Sequence, residues 1–266
     1  MQFFINILEI LHNNLMLNYG VAIIILTLAV KAVFWGLNTK QYESMAAMRK
    51  VQPHLKELQQ KHKDNPQLLQ KEMLELYKKH KVNPFSGCLP MLIQLPVLFI
   101  LYAALNSTAF INLPAEGKGF LWIKDISFVE SLNFNKFALD YETQSSKKNE
   151  RHAALYNLIQ KNPQRYTGIN TRIKIPLGGQ DVGIPLLALL VALTTYYSQK
   201  TMDIDPEQKK MMAFMPIMML LICFNLSAGI SLYLAVSNLI MALQQMYLKK
   251  KSTPAVIDVK ASPVKS

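Results

Sequence analysis

Val21–Leu37 reads VAIIILTLAVKAVFWGL, a near-unbroken apolar run with a single Lys31 inside it. At ~1.5 Å rise per residue, a helix from Tyr19 to Asn38 is about long enough to cross a hydrocarbon core of ~30 Å. A lysine in such a span costs about 2.5–3.5 kcal/mol on insertion scales, so it needs a compensating environment. Two environments stand open. Lys31 lies ~10 Å along the helix from Asn38, near enough to snorkel to the surface. The other is a wet cavity enclosed by further spans.

Composition predicts those further spans. Apolar residues make up 51% of the chain and mean hydropathy is +0.14, yet the formal net charge is +12. Polytopic membrane proteins with basic loops combine these values; soluble domains seldom do. The spans are placed at 18–38, 86–106, 182–198, 211–227 and 229–247, an all-α polytopic fold of five transmembrane helices. The second is interrupted by Pro90 and Pro96 and carries Gln94, which either hydrogen-bonds a neighbouring helix or lines the same cavity as Lys31. The third starts near Pro185. The fourth is dense in methionine (Met211, Met212, Met215, Met218, Met219), suited to adaptable packing or to promiscuous apolar contacts. The fifth carries Ser231, Tyr233, Ser237, Asn238, Gln244 and Gln245.

Residues 1–17 place Phe3, Phe4, Ile7, Leu8, Leu11 and Leu15 on one helical face, as in a helix lying in the interface plane. They lack the basic start and cleavage site of a signal peptide and the Arg-rich pattern of a transit peptide, which favours a bacterial setting. Residues 40–84 form a strongly basic helical hairpin. Tyr42, Met45, Met48, Val51, Leu55 and Leu58 make its stripe, and Asp64-Asn65-Pro66 its turn. That hairpin reads equally as a linker with an apolar seam or as a methionine-rich docking surface. Residues 107–181 are a long polar connection: Phe120–Ile123 suggests an interfacial anchor, 146–162 a helix, 171–175 a strand, and the charges a solvated surface. The basic residues of 40–84, of the 199–210 loop and of the 248–266 tail fall on one side, so the N-terminus is placed outside and the C-terminus in the cytoplasm.

Cys88 and Cys223 sit in apolar runs and read as free core thiols. The histidines and all Asp and Glu lie outside the spans. HExxH spacing and GxxxxGK[ST] phosphate loops are absent. An intramembrane enzyme, a metal site and a cofactor are therefore not expected.

Several stretches in order resemble the YidC/Oxa membrane insertase family: Asn18–Leu37 with its single basic residue, the hairpin from Lys40-Gln41-Tyr42 through Pro53, Lys78–Pro96 (KKHKVNPFSGCLPMLIQLP), Leu121–Ser127 (LWIKDIS), Lys209–Pro216 (KKMMAFMP) and Ser227–Gln245. The resemblance implies a five-helix core around a hydrophilic groove open to cytoplasm and lipid. Lys31 matches the family's groove cation, usually arginine, and keeps the charge without the bidentate fork. Gln94 and Tyr233 match groove and contact residues, with Ser231 and Asn238 beside them, while Leu234 stands where many relatives have a second tyrosine. Met45, Met48, Met215 and Met218 are the expected contacts to client or partner. The 128–181 insertion departs from the family's usual short connection. An extra N-terminal span and a large periplasmic domain, common in the family, are not among the 266 residues, so either a short member or a trimmed chain is expected.

What the resemblance implies is an insertase and chaperone of the bacterial inner membrane. It would move short polar tails of nascent membrane proteins through a cationic groove, with the ribosome, a targeting receptor and the Sec translocon as further partners and no DNA. Two alternatives remain. A small-solute channel or transporter would predict internal repeats or paired broken helices, which the sequence lacks. A folding chaperone that does not insert would need the same groove edge.

Overall fold

The structure, a computed structural model, describes residues 2–15, 18–80, 82–83, 89–143, 149–177, 180–201 and 212–251. Cys88, Met211, most of the 199–210 loop and the tail from 252 lie outside them. The described part is mostly helical, with one small two-stranded sheet.

Helix α1 (Gln2–Leu15) buries Ile5 and Leu8, with Phe4 and Leu11 packed beside them. Its buried face therefore takes in Ile5, which the sequence reading left off the apolar stripe. Helix α2 (Tyr19–Val33) is started by Asn18, whose side-chain oxygen accepts the Gly20 N–H at 2.8 Å. The sequence predicts one helix through Asn38. Instead the axis turns by 61° between α2 and α3 (Trp35–Lys61). The ladder stops with Phe34 N–H bonding Val30 O at 3.1 Å and resumes with Asn38 N–H bonding Phe34 O at 2.9 Å. Gly36, a poor helix former just past the break, makes the turn cheap.

Helix α4 (Pro66–Lys79) returns along α3. Asn65 caps it through the Leu68 N–H, and Pro66 sits where no donor is needed. Val51, Leu55 and Val82 form the seam between the two, with Met48, Met73, Leu76 and Tyr77 around them. Helix α5 (Leu89–Leu105) runs on through Pro96. Helix α9 (Leu186–Thr201) begins four residues later than the predicted span, because Val182 and Gly183 belong to a hairpin, β1 (Lys174–Leu177) with β2 (Gln180–Gly183). Helix α10 (Met215–Cys223) is shorter than the predicted fourth span, and α11 (Ala228–Lys251) runs beyond the fifth into the basic tail. Helix α11 packs on α9, α2 and α5, and α10 packs on α9.

Among the described residues one helix, Ala228–Lys251, is by itself long and apolar enough to cross a membrane; the bent pair Tyr19–Val33 and Trp35–Met48 passes the same test taken together. The bundle's outside is apolar: Leu28, Phe99, Leu193, Ile217, Leu221 and Leu243 are all at least half exposed. Surfaces of that kind mark contact with lipid or with other apolar partners.

The described residues of the predicted connection, 107–181, are not throughout the solvated surface that their charges suggest. They form a folded cap with α6 (Thr108–Ile111), α7 (Phe134–Thr143) and α8 (Glu150–Lys161), around a core of Ile111, Phe128, Phe134, Leu155, Leu158 and Tyr166. Asn149 caps α8 through the His152 N–H at 2.8 Å. The cap is tied to the bundle at two points. Ala228 and Gly229 donate their N–H groups to Phe128 O and Ile126 O at 2.8 and 2.9 Å. The Glu130 carboxylate accepts the Leu187 N–H at 2.8 Å and the Trp122 indole N–H at 2.7 Å. A carboxylate on the first turn satisfies donors that a helix start leaves open.

Candidate functional site

Three helices bring polar side chains to one place between them. From α2, Lys31 Nζ donates to Gln94 Oε1 of α5 at 3.2 Å. Gln94 Nε2 donates in turn to the Tyr233 hydroxyl of α11 at 2.5 Å, and Ser237 Oγ donates to Gln94 Oε1 at 3.3 Å. Gln94 is thus the hub, holding one partner on each of its two functional atoms and sharing the oxygen with a third. Its length lets it reach two other helices from the middle of an apolar one.

The depth of this cluster follows from helix rise. Tyr19, Leu105 and Ala228 sit at the cap end of their helices, where Tyr19 meets Phe110 and His12. Counting ~1.5 Å per residue from those ends puts Tyr233, Ser237, Gln94 and Lys31 about 8–18 Å inward. The cluster is therefore well inside the bundle. A crevice lined by Ile23, Leu26, Thr27, Val30, Val97 and Tyr233 adjoins it on the cap side. Its walls are apolar, and the Thr27 hydroxyl is turned to its own backbone, donating to Ile23 O at 2.6 Å.

The Lys31 side chain turns into the bundle, toward Gln94. No acidic side chain pairs with it among the described residues. The Gln94 amide oxygen solvates the ammonium in part and leaves its charge uncompensated. An ammonium held in this way attracts negative charge.

The other sequence-predicted residues lie elsewhere. Ser231 is buried and turns toward Cys223 O, at 3.5 Å. Asn238 donates to Thr195 Oγ1 of α9 at 2.9 Å. Met45 is buried, and Met48 is half-buried in the hairpin seam. Met215 and Met218 are half-buried on α10, beside exposed Ile217 and Leu221. Ser237, which the sequence reading noted on the fifth span without placing it in the groove, belongs to the cluster. It stands one helical turn from Tyr233, on the same face, whereas Ser231 and Asn238 are rotated away. That spacing was the available signal.

A second polar group of residues lies in the cap. Asp125 is fully buried and accepts the Tyr166 hydroxyl at 2.5 Å and the Ser127 N–H at 2.7 Å. Lys118, also fully buried, donates to Ile111 O at 2.5 Å. Burial raises the Asp125 carboxyl above its usual range against the opposing pull of Lys118 and Tyr166, and burial pushes Lys118 down to about 8. Asn170 closes the group, accepting the Asp125 N–H and donating to Asp125 O, both at 2.9 Å. Every member is used in holding the cap together. No cluster of three potential metal ligands occurs among the described residues.

Comparison with known proteins bears on the whole chain. The family described as "60Kd inner membrane protein" matches residues 10–255. The protein is 33% identical over 246 residues to "Membrane protein insertase YidC" of Chlorobium luteolum, which covers 91% of this chain and 35% of that one. It is 35% identical over 239 residues to the protein of the same name from Leptospira interrogans, with 88% and 32% covered. The chain spans about a third of the length of these relatives. A solved structure described as "Active YidC insertase crystal structure with the first transmembrane domain resolved" is similar with a TM-score of 0.60 at 22% identity, covering 92% of this chain and 46% of that one, a likeness of fold.

Proposed function

The chain belongs to the 60Kd inner membrane protein family, the YidC/Oxa family of the bacterial inner membrane, and from that membership we propose that it acts as a membrane protein insertase. It admits the short polar outer tails of nascent membrane proteins to a hydrophilic cationic groove and releases their apolar segments into lipid. The observation that carries this reading is the Lys31–Gln94–Tyr233–Ser237 cluster, a cation without a carboxylate partner among the described residues, deep between apolar helices.

A bare bilayer opposes the crossing of a polar, often acidic tail. A polar niche partway through shortens that barrier, and an uncompensated ammonium attracts the tail. The apolar segment that follows leaves sideways by partitioning, with no nucleotide needed. Half-buried Met215 and Met218, beside exposed Ile217 and Leu221, are the apolar surface for that step. Met45 is buried and Met48 half-buried in the hairpin seam, so Met48 is the better placed of the two to meet a client.

In this reading α2 with the start of α3, α5, α9, α10 and α11 are the five spans. Helix α1 lies in the outer interface, the cap is outside, and the α3–α4 hairpin and C-terminus are cytoplasmic. The lysines at 249–251 and along α3 and α4 support that orientation. The basic hairpin is the surface for a ribosome, a targeting receptor or the Sec translocon.

The test is insertion of a single-span client with a short acidic outer tail into liposomes containing only this protein, as wild type, Lys31→Ala and Lys31→Arg. Tail protection by wild type, lost in Lys31→Ala and kept in Lys31→Arg, is the expected result. Insertion by Lys31→Ala at the wild-type rate would return Lys31 to a snorkelling role. Protection no better than in empty liposomes, with client aggregation suppressed, would make the protein a chaperone instead.

A further inference from the structure

The cap carries a face that its own packing does not explain. Phe120 and Ile123 close a tight turn by exchanging two backbone hydrogen bonds, at 3.0 and 2.8 Å. Leu121 at its tip is 63% exposed and has φ of 51°, the left-handed region that a bulky side chain rarely adopts. A strained, exposed leucine is costly in water. Next to this turn, Ile123 bridges Thr171, and the chain runs on into the β1–β2 hairpin. There Ile175 and Val182 sit directly opposite one another, 42% and 44% exposed, as an apolar pair on one face. Lys174 lies on the other face of the ribbon, by strand alternation. It and Arg172 are close enough to Lys124 to add to the burial that pushes the Lys124 ammonium down.

With an apolar pair on one face, Lys174 sharing the other with Pro176 and Asp181, and Lys124 and Arg172 beside Lys174 at its base, the hairpin has the make-up of an element lying in a membrane interface. Its position agrees. The Ile184 N–H bonds Ile173 O at 3.0 Å, so the hairpin base runs straight into α9. Trp122 is fixed to the same helix start through Glu130. Helix α9 then exposes Leu189, Leu190 and Leu193 along its side. The apolar tips of the cap are thus continuous with a surface that faces lipid, provided that α9 spans the membrane as read above.

We propose that Leu121, Ile175 and Val182 seat the cap in the outer leaflet, and that Lys124, Arg172 and Lys174 bind the headgroups of anionic phospholipids there. The occupant is lipid rather than an acidic polypeptide. The apolar tips and the cations are carried together on one rigid platform at the outer end of α9, and only an interface offers both environments a few ångströms apart.

The experiment uses the whole chain with Cys88 and Cys223 replaced by alanine and an environment-sensitive fluorophore at Val182→Cys. It is reconstituted with a trace of spin-labelled phosphatidylglycerol or of spin-labelled phosphatidylcholine in equal amount. The expected result is stronger quenching by phosphatidylglycerol. That excess should fall roughly fivefold for each charge removed in Arg172→Gln and Lys174→Gln, collapse in high salt, and persist in Arg172→Lys and Lys174→Arg. Equal quenching by both lipids overturns headgroup recognition, and no quenching by either overturns the seating. A phosphatidylglycerol excess displaced by an acidic client tail would assign the site to polypeptide and overturn the proposal as well. Client insertion measured in the same vesicles separates the two readings: a failed quenching assay with intact insertion sinks only the lipid site.

Discussion

Replacing Gln94 by glutamate puts a carboxylate where the amide oxygen now accepts Lys31, at 3.2 Å, without changing the length of the side chain. All three existing contacts can be kept, since the Tyr233 and Ser237 hydroxyls and the Lys31 ammonium can each donate to a carboxylate. The charge of the cluster, however, is cancelled. At an effective dielectric of ~20, an acidic client group ~6 Å from the Lys31 ammonium gains about 3 kcal/mol. A carboxylate at position 94, ~8 Å from the same group, repels it by about 2 kcal/mol. The net loss of about 2 kcal/mol is roughly thirtyfold in the occupancy of the groove. The new ion pair attracts by about 5 kcal/mol before desolvation, enough that a passing client group does not displace it. The assay is the initial rate of tail protection in proteoliposomes, with two clients that differ only in an acidic or a neutral tail. Gln94→Glu should lose about thirtyfold on the acidic tail, change little on the neutral one, and melt no lower than wild type. Equal insertion of the acidic tail by variant and wild type would refute the claim that charge at Lys31 drives uptake.

Three further outcomes follow from the contacts. A methyl group at Gly20 would stand 2.3–2.8 Å from Cβ, Cγ and Cδ2 of Phe120, atoms that no rotation clears together, so Gly20→Ala should destabilise by about 1–3 kcal/mol. Thermal melting in detergent reads this loss, and adding Phe120→Ala should recover part of it. Lys118 is pushed down to about 8 by burial, so above that pH the folded cap releases a proton that the unfolded chain still holds up to the ordinary lysine value. The unfolded state then binds more protons, and cap stability rises between pH ~8 and ~10.5, by at most about 3 kcal/mol. Hydrogen exchange at Ile126 should follow that rise, and Lys118→Met should abolish it. Finally, Gln244 donates to Trp35 O at 3.1 Å and accepts from Asn38 at 3.5 Å, across the 61° bend between α2 and α3. Gln244→Leu removes both bonds while Trp35 O keeps the Thr39 hydroxyl at 2.9 Å, so the cost is about 1 kcal/mol. Spin-label distances from the hairpin tip to α11 should broaden, and an unchanged distribution would show that the bend is held by packing alone.

How much of this was legible in the sequence depended on the range over which each signal acts. The helices were legible because apolar runs and caps are local: Asn65-Pro66 announces the start of α4, and the apolar stripe of α3 needs no knowledge of the rest. Lys31 and Gln94 could be singled out because a polar side chain in an apolar run stands out in any context. Their meeting, 63 residues apart in sequence, came through family resemblance and not from periodicity. The cap was misread for the opposite reason. Lys118 and Asp125 belong to a long connection whose many charges read as surface, and nothing near Asp125 announces that Tyr166 and Asn170, more than forty residues on, will bond it. Glu130 gave no signal either, since beside nearby Trp122 its partner is a helix start 57 residues away. Both misreadings have one cause. A charge inside an apolar run is judged against its neighbours in the chain, but a charge inside a polar run takes its environment from the fold. That asymmetry bears on function too. Lys31 has no carboxylate partner among the described residues, whereas the buried cap carboxylates Asp125 and Glu130 take donors from distant segments, Tyr166 and Leu187. A polar network of that kind resists rearrangement, which makes the cap a stiff end to the helices that carry Lys31, Gln94 and Tyr233.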